Sequence, residues 1–275
     1  MNIEKKRKQR FSFPLIYGII TACSGQAAHM VCRKEGIAMF FRSRRFIIAV
    51  IFLLIAALCL TLISRIPQKA TSTTTLCSAP CIILDAGHGG ADGGATSSSG
   101  VTESKINLEI TQKLEALLLF SGHQAQMTRT DEKDLSAPEA QTIKEQKVSD
   151  LKNRAELVNS IQDATLISIH QNSLAGNSKV HGAQVFYNTV QPASKIAQSV
   201  QQSLNQVINP GNEKNCKAID ASIYLLKEVQ APAILVECGF LSNAEETRLL
   251  CNSDYQKQLA VAIAAGYLQY HTKEG

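Results

Sequence analysis

Four residues of this 275-residue sequence have the types that metal-assisted hydrolysis needs: His88, Glu103, His170 and Glu237. His88 stands in "IILDAGHGGADGG" (82–94), where an apolar run meets an acid and then one imidazole among five glycines. His170 lies in "LISIHQN" (166–172), and Glu237 directly follows "AILV" in "AILVECGFLSN" (233–243). Glu103 sits in "GVTESK" (100–105), just beyond the glycine-rich loop. Two imidazoles and one carboxylate are the usual donors of a catalytic zinc, which keeps a further position open for water. A metal so held acidifies water and polarises the carbonyl under attack, and an unligated carboxylate must then carry the proton to the leaving nitrogen. Two glutamates are available for those two roles. Glu103 shares a loop with His88 and is expected to be the third ligand; Glu237, on a different strand edge, is expected to be the acid–base group.

Each residue also has a plainer reading. A histidine near a strand end can be a hydrogen-bonded rim residue, and Glu103 at a helix start can simply oppose the helix dipole, worth about 0.3–1 kcal/mol. Glu237 is harder to explain away, because a carboxylate after four apolar residues is costly to bury without a metal, a donor or solvent. His123 follows Gly122 in a turn and reads as structural, while His181, beside Gly182, has no visible partner. Asp85, three residues before His88, is expected to orient that imidazole as a hydrogen-bond acceptor.

The elements that would hold these residues alternate. Apolar runs at Ile82–Asp85, His123–Thr128, Thr165–His170, Ala183–Tyr187 and Ala233–Glu237 read as strands. Helices are expected at Glu103–Phe120, Asp150–Ile161, Ala193–Ile208, Ala244–Cys251 and Tyr255–Tyr270; the first has Ile106, Ile110, Leu114, Leu117 and Leu118 on one stripe. This alternation implies an α/β fold, one three-layer domain over residues 81–271 with a mainly parallel sheet flanked by helices. Strand ends of a parallel sheet share one edge, so His88, His170 and Glu237 could meet there.

Charge is distributed unevenly. Residues 1–76 carry 12 Lys/Arg against 2 Asp/Glu, leaving 16 against 21 beyond, a net of −5. An acidic domain with no Lys/Arg cluster and no Trp is a poor nucleic-acid binder, so no nucleic-acid partner is expected. The basic segment 1–45 ends in "RSRR" before "FIIAVIFLLIAALCLTLI" (46–63), 18 residues without a charge. Such a stretch reads as an N-terminal transmembrane segment with its basic flank in the cytoplasm and the domain outside. No small-x-small cleavage site follows it, which favours a retained membrane anchor over a removed signal. Translation from Met39 would leave an ordinary export signal, and "IITAC" (19–23) matches a lipoprotein box only superficially. Residues 64–80, rich in Ser, Thr and Pro, read as a linker. Five cysteines lie beyond the apolar segment, an odd number without C-x-x-C spacing; Cys77 with Cys81 is one possible bridge, and buried thiols are the other reading.

There is no G-x-G-x-x-G, G-K-[ST], H-E-x-x-H or G-x-S-x-G. However, "ILDAGHGGADGGA", "GVTESKINLEI", "MTRTDEKDL", "NRAELVNS", "LISIHQNS", "GAQVFYN" and "PAILVECGFLSNAEE" occur in an order that resembles the zinc-dependent N-acetylmuramoyl-L-alanine amidases of the Amidase_3 type. The resemblance covers about residues 81–271. It implies Zn2+ on His88, Glu103 and His170, with Glu237 as the catalytic glutamate. It also implies a substrate, the peptidoglycan amide between the lactyl group of N-acetylmuramic acid and L-alanine. "KVSDLKNRAELVNS" and "GAQVFYN" look most like the spore-cortex, germination-specific subgroup. Cys238 departs from the family pattern, standing where an apolar residue is common. Two rival functions remain at this stage: a zinc peptidase acting within the stem peptide, and a catalytically silent wall-binding domain, for which lost ligands would be expected. An activating partner and the oligomeric state are not readable.

Overall fold

Strand side chains alternate between two helical layers. In β1 (Cys81–Ala86), Ile82, Leu84 and Ala86 enter one apolar cluster and Ile83 the other. The same period of two divides Ile167 and Ile169 from Leu166 in β3 (Ala164–Asn172), and Ile234, Val236 and Cys238 from Ala233 and Leu235 in β6 (Ala233–Phe240). A strand apolar on both sides has to be covered on both sides, which is the condition for a central sheet between helices. These observations come from a computed structural model that describes residues 47, 48, 50–55, 81–220 and 223–274.

One layer consists of α1 (Glu103–Phe120), α3 (Ala193–Val207) and α6 (Ser253–Glu274); the other contains α2 (Ile143–Asn159) and the short α4 (Tyr224–Glu228). On α1, Ile106, Ile110, Leu114 and Leu118 recur every four residues and are all buried, each side chain contributing about 1.5–3 kcal/mol by leaving water. α5 (Ala244–Leu250) is capped by Asn243, whose Oδ1 accepts from the backbone N–H groups of Glu245 and Glu246.

The sheet also contains β2 (Ala125–Met127), β4 (Gln184–Tyr187) and the two-residue β5 (Lys217–Ala218). The strand order is β2-β1-β3-β6-β4-β5. Most pairs are parallel, but β4 runs antiparallel to β6, so the sheet is mixed. α2 begins at Ile143 rather than at the expected Asp150. Its start is fixed by a capping box: Glu145 N–H donates to Thr142 Oγ1, and Thr142 N–H donates to Glu145 Oε2. The exposed first turns of α2 carry no apolar stripe, which hid them from a periodicity reading.

The chain divides into two units, Met1–Thr73 and Thr74–Gly275. Helical residues within 47–55 expose Phe52, Leu53 and Leu54. Among the described residues no helix is long and apolar enough to cross a membrane. The expected span Phe46–Ile63 lies largely outside those residues, as do the linker and Cys77.

Candidate active site

The loop after β1 turns back on itself. Gly89 and Asp92 exchange two backbone hydrogen bonds of 2.9 and 3.0 Å, and the Glu103 and Ser104 N–H groups donate to Ala95 O and Gly93 O. This closure brings the first residue of α1, Glu103, beside His88. Two glycines are required by close approach. A Cβ at Gly87 would lie 2.3 Å from the His170 ring; one at Gly94, where φ is +68°, would lie 2.6 Å from Glu103 Oε2 and 2.7 Å from His88 Cδ2. His88 itself has φ +64°, a left-handed conformation a non-glycine residue seldom adopts.

The strained backbone of the loop is held by two arginines. Arg154 on α2, fully buried, donates to Ala86 O at 2.9 Å and His88 O at 2.8 Å, and pairs with Asp85 at 2.6 Å and Asp150 at 2.9 Å. Arg129 donates to Ala86 O, Gly87 O and Ser104 O. Asp85 therefore does not do what the sequence suggested. Its oxygens accept from Thr128, Arg154 and Ser168, and none reaches the His88 ring. The partner of His88 Nδ1 is Asp92 Oδ2, at 2.9 Å. Asp92→Ala, rather than Asp85→Ala, is the change expected to weaken metal affinity by about 10- to 100-fold, measured by competition with a fluorescent chelator.

Asp85 and Arg154 are instead a stability element. Arg154→Ala leaves two buried carboxylates without their cation and is expected to lower unfolding free energy by about 3–5 kcal/mol in urea denaturation. Burial opposes ionisation of Asp85, but the Arg154 charge and the Ser168 hydrogen bond outweigh it and bring its pKa from 3.8 to about 2. A carboxyl with a lowered folded-state pKa stabilises the fold fully above pH 3.8. That contribution, about 2 kcal/mol, is expected to drain as pH falls towards about 2, visible as a falling urea midpoint. Asp150 works in the opposite sense, since burial moves its pKa up.

At the sheet edge, register places Glu237 on β6 beside His170 on β3. One donor atom each from His88, Glu103 and His170 lies within 4.8 Å of the others, a group that could hold a metal ion. Glu103 joins the two rings: Oε1 is 2.9 Å from His170 Nδ1 and Oε2 is 3.3 Å from His88 Nε2. Its oxygens also accept from Ala95 N–H, Gln171 N–H and Asn107 Nδ2. Burial would raise the Glu103 pKa, but the hydrogen bonds from His170 and His88 hold it well below the carboxylate range. Glu237 differs. Its Oε2 is buried and has no hydrogen-bond partner among the described residues. Burial raises its pKa, His170 lowers it and the Glu103 charge raises it again, leaving about 7. One carboxylate is thus held ionised among imidazoles while burial raises the pKa of its neighbour, a separation of the kind found in acid–base pairs.

His123 and His181 make their contacts elsewhere. His123 Nδ1 contacts Ser121 O in the turn after α1, and exposed His181 contacts Lys179 O. Cys238 is buried in the core and its thiol is pushed upward by burial, which leaves it inert.

The profile of the N-acetylmuramoyl-L-alanine amidase family matches residues 82–269. The chain belongs to that family. The amidase hydrolyses the bond between N-acetylmuramic acid and L-alanine in peptidoglycan. It is 35% identical over 199 residues to the germination-specific N-acetylmuramoyl-L-alanine amidase of Bacillus subtilis, covering 72% of this chain and 82% of that protein. Among solved structures, the CwlD amidase from Clostridioides difficile, in complex with the GerS lipoprotein, aligns with a TM-score of 0.67 and 39% identity over 70% of this chain and 99% of that one. An N-acetylmuramoyl-L-alanine amidase from Clostridium difficile 630 aligns with a TM-score of 0.61 and 30% identity over 72% and 99%. Among the groups at this chain's site that sequence spacing did not mark are Asp92 and Arg154. Asp92 carried a signal in retrospect, being the acid nearest His88 on the downstream side of the loop. Arg154 shared only the i,i+4 spacing with Asp150.

Proposed function

We propose that this amidase holds Zn2+ on His88, Glu103 and His170 and uses Glu237 as general base and then general acid. The observation that carries the reading is the convergence of two imidazoles and a carboxylate beside a buried carboxyl with an unpartnered oxygen. The donors suit zinc: nitrogen and oxygen ligands, three in number, leave a position open for catalysis. Asp92 on His88 Nδ1 fixes the tautomer that leaves Nε2 free to ligate.

Bound zinc supplies a Lewis acid that polarises the scissile carbonyl and acidifies water. Glu237, buried beside the metal-binding group, takes the proton of the attacking water as a carboxylate. As a carboxylic acid it returns that proton to the nitrogen of L-alanine, so that the amine leaves neutral; the second proton of the water stays on the new lactyl carboxyl group, which stays with the sugar and releases it to solvent. Glu103 is not available for this task, since its carboxylate is assigned to the metal and also accepts from the Ala95 and Gln171 N–H groups.

The likeness to the germination-specific Bacillus subtilis amidase supports a role in spore-cortex peptidoglycan. The uncharged stretch 46–63 behind a basic flank supports a membrane-anchored chain with the domain outside the cytoplasm. A lipoprotein partner of the kind present in the Clostridioides difficile complex is part of the same proposal. The test is digestion of vegetative and cortex peptidoglycan in parallel. Stem peptides released from cortex material faster than from vegetative wall support the role, and equal rates on both contradict the cortex assignment.

A further inference from the structure

The cleft lined by His88, His170 and Glu237 is about 200 Å³. Ile223 and Tyr224, at the start of α4, and Leu226 supply apolar lining. To the same cleft α2 contributes Lys147, Leu151 and Arg154 from one helical stripe, spaced four and three residues apart. The two cations on that stripe are in different states. Arg154 is 1% exposed and spent on Asp85, Asp150 and two loop carbonyls. Lys147 is half exposed, and its Nζ lies 3.1 Å from Asp92 Oδ2. An ammonium has three donors and one Asp92 oxygen satisfies one of them. Among the described cleft residues, Lys147 is therefore the one lysine or arginine with charge and donors left for a ligand.

The contact with Asp92 also fixes where that charge sits. Asp92 Oδ2 is 2.9 Å from His88 Nδ1, so one imidazole ring and two contacts separate Lys147 Nζ from the metal-facing side of His88. That is the reach of about two extended residues at about 3.3–3.6 Å each. In peptidoglycan the residue after L-alanine is D-glutamate, whose free carboxyl group occurs either as the acid or as the carboxamide. With the scissile amide at the metal-binding group, that carboxyl group falls within reach of Lys147.

We propose that Lys147 is a specificity-determining residue that binds the free carboxylate of the second stem residue, so that the amidase prefers stems carrying the acid over stems carrying the carboxamide. The proposal rests on the zinc amidase mechanism above. A lysine suits the task because it supplies a compact charge that a carboxamide cannot answer. Its half-exposed setting limits the gain to that of a solvent-screened pair.

The test compares native chain, Lys147→Ala and Lys147→Arg, all loaded with zinc, on two peptidoglycan fragments that differ only in D-glutamate or D-isoglutamine at the second stem position. The native chain is expected to favour the acid by about threefold to tenfold in kcat/KM, carried in KM. In Lys147→Ala that ratio falls to about one, Lys147→Arg restores most of it, and bound zinc is the same in all three. An unchanged ratio in Lys147→Ala overturns the proposal. So does an equal loss on both fragments accompanied by loss of zinc, which would mean that Lys147 acts only through Asp92 and His88. If the native chain cleaves neither fragment, the underlying mechanism fails and this assignment with it.

Discussion

Glu237→Gln is expected to reduce turnover by about 10²- to 10⁴-fold while the protein still folds and still binds one zinc. Gln preserves the shape of the side chain but can neither take a proton from water nor deliver one to the departing nitrogen. Glu237 Oε2 is buried without a hydrogen-bond partner, and burial raises its pKa to about 7. An acid whose folded-state pKa is raised subtracts stability as pH climbs from 4.5 to about 7, because the unfolded chain releases the proton more readily. In the metal-free protein Glu237→Gln is therefore expected to be at least as stable as the native chain at pH 8, measured by thermal unfolding. Lost activity with retained stability is the pattern of a residue kept for chemistry at a structural cost.

The second large effect concerns the ligands. Chelation, or His170→Ala, or Glu103→Ala, is expected to abolish hydrolysis, and adding zinc back should restore only the chelated native protein. Each ligand substitution should weaken metal affinity by more than about 100-fold, the upper end of what losing a ligand's outer partner costs. Glu103→Ala should be the more damaging of the two substitutions. Its carboxylate contacts both imidazoles and also satisfies the N–H groups of Ala95 and Gln171, so removing it unties the loop from β3. Because zinc binds the folded site, metal should raise the unfolding midpoint, by about 4 kcal/mol of stabilisation at a thousandfold excess over Kd. Metal content by inductively coupled plasma spectrometry, read beside the melting curves, checks both statements.

Much of this arrangement can be read from the residues. Apolar runs leading to His88, His170 and Glu237 mark strands buried on both faces, and parallel strands next to one another present their ends at one edge, as β1, β3 and β6 do. The stripe at Ile106, Ile110, Leu114 and Leu118 identifies α1, whose first residue is Glu103. What is less legible depends on three-dimensional partners. Asp85 and Asp92 flank His88 at comparable distances in the chain, and only the fold of the glycine loop decides that Asp92 meets the imidazole while Asp85 is consumed by Arg154, Thr128 and Ser168. Lys147 looks like one more surface lysine until α2 is docked beside the cleft. The reversed direction of β4 leaves no trace in an alternation pattern, because side-chain period is the same in either direction. β5 and α4, two and five residues long, are too short for any period to register.

The central claim is that the four-residue site cuts the amide between the lactyl group and L-alanine. Mass spectrometry of purified peptidoglycan digested by the zinc-loaded chain tests it most directly. The expected products are intact stem peptides with a free L-alanine amino terminus, together with glycan fragments whose muramic acid carries a free lactyl carboxylate. Shortened stems still attached to muramic acid would instead place the cut within the peptide and contradict the account.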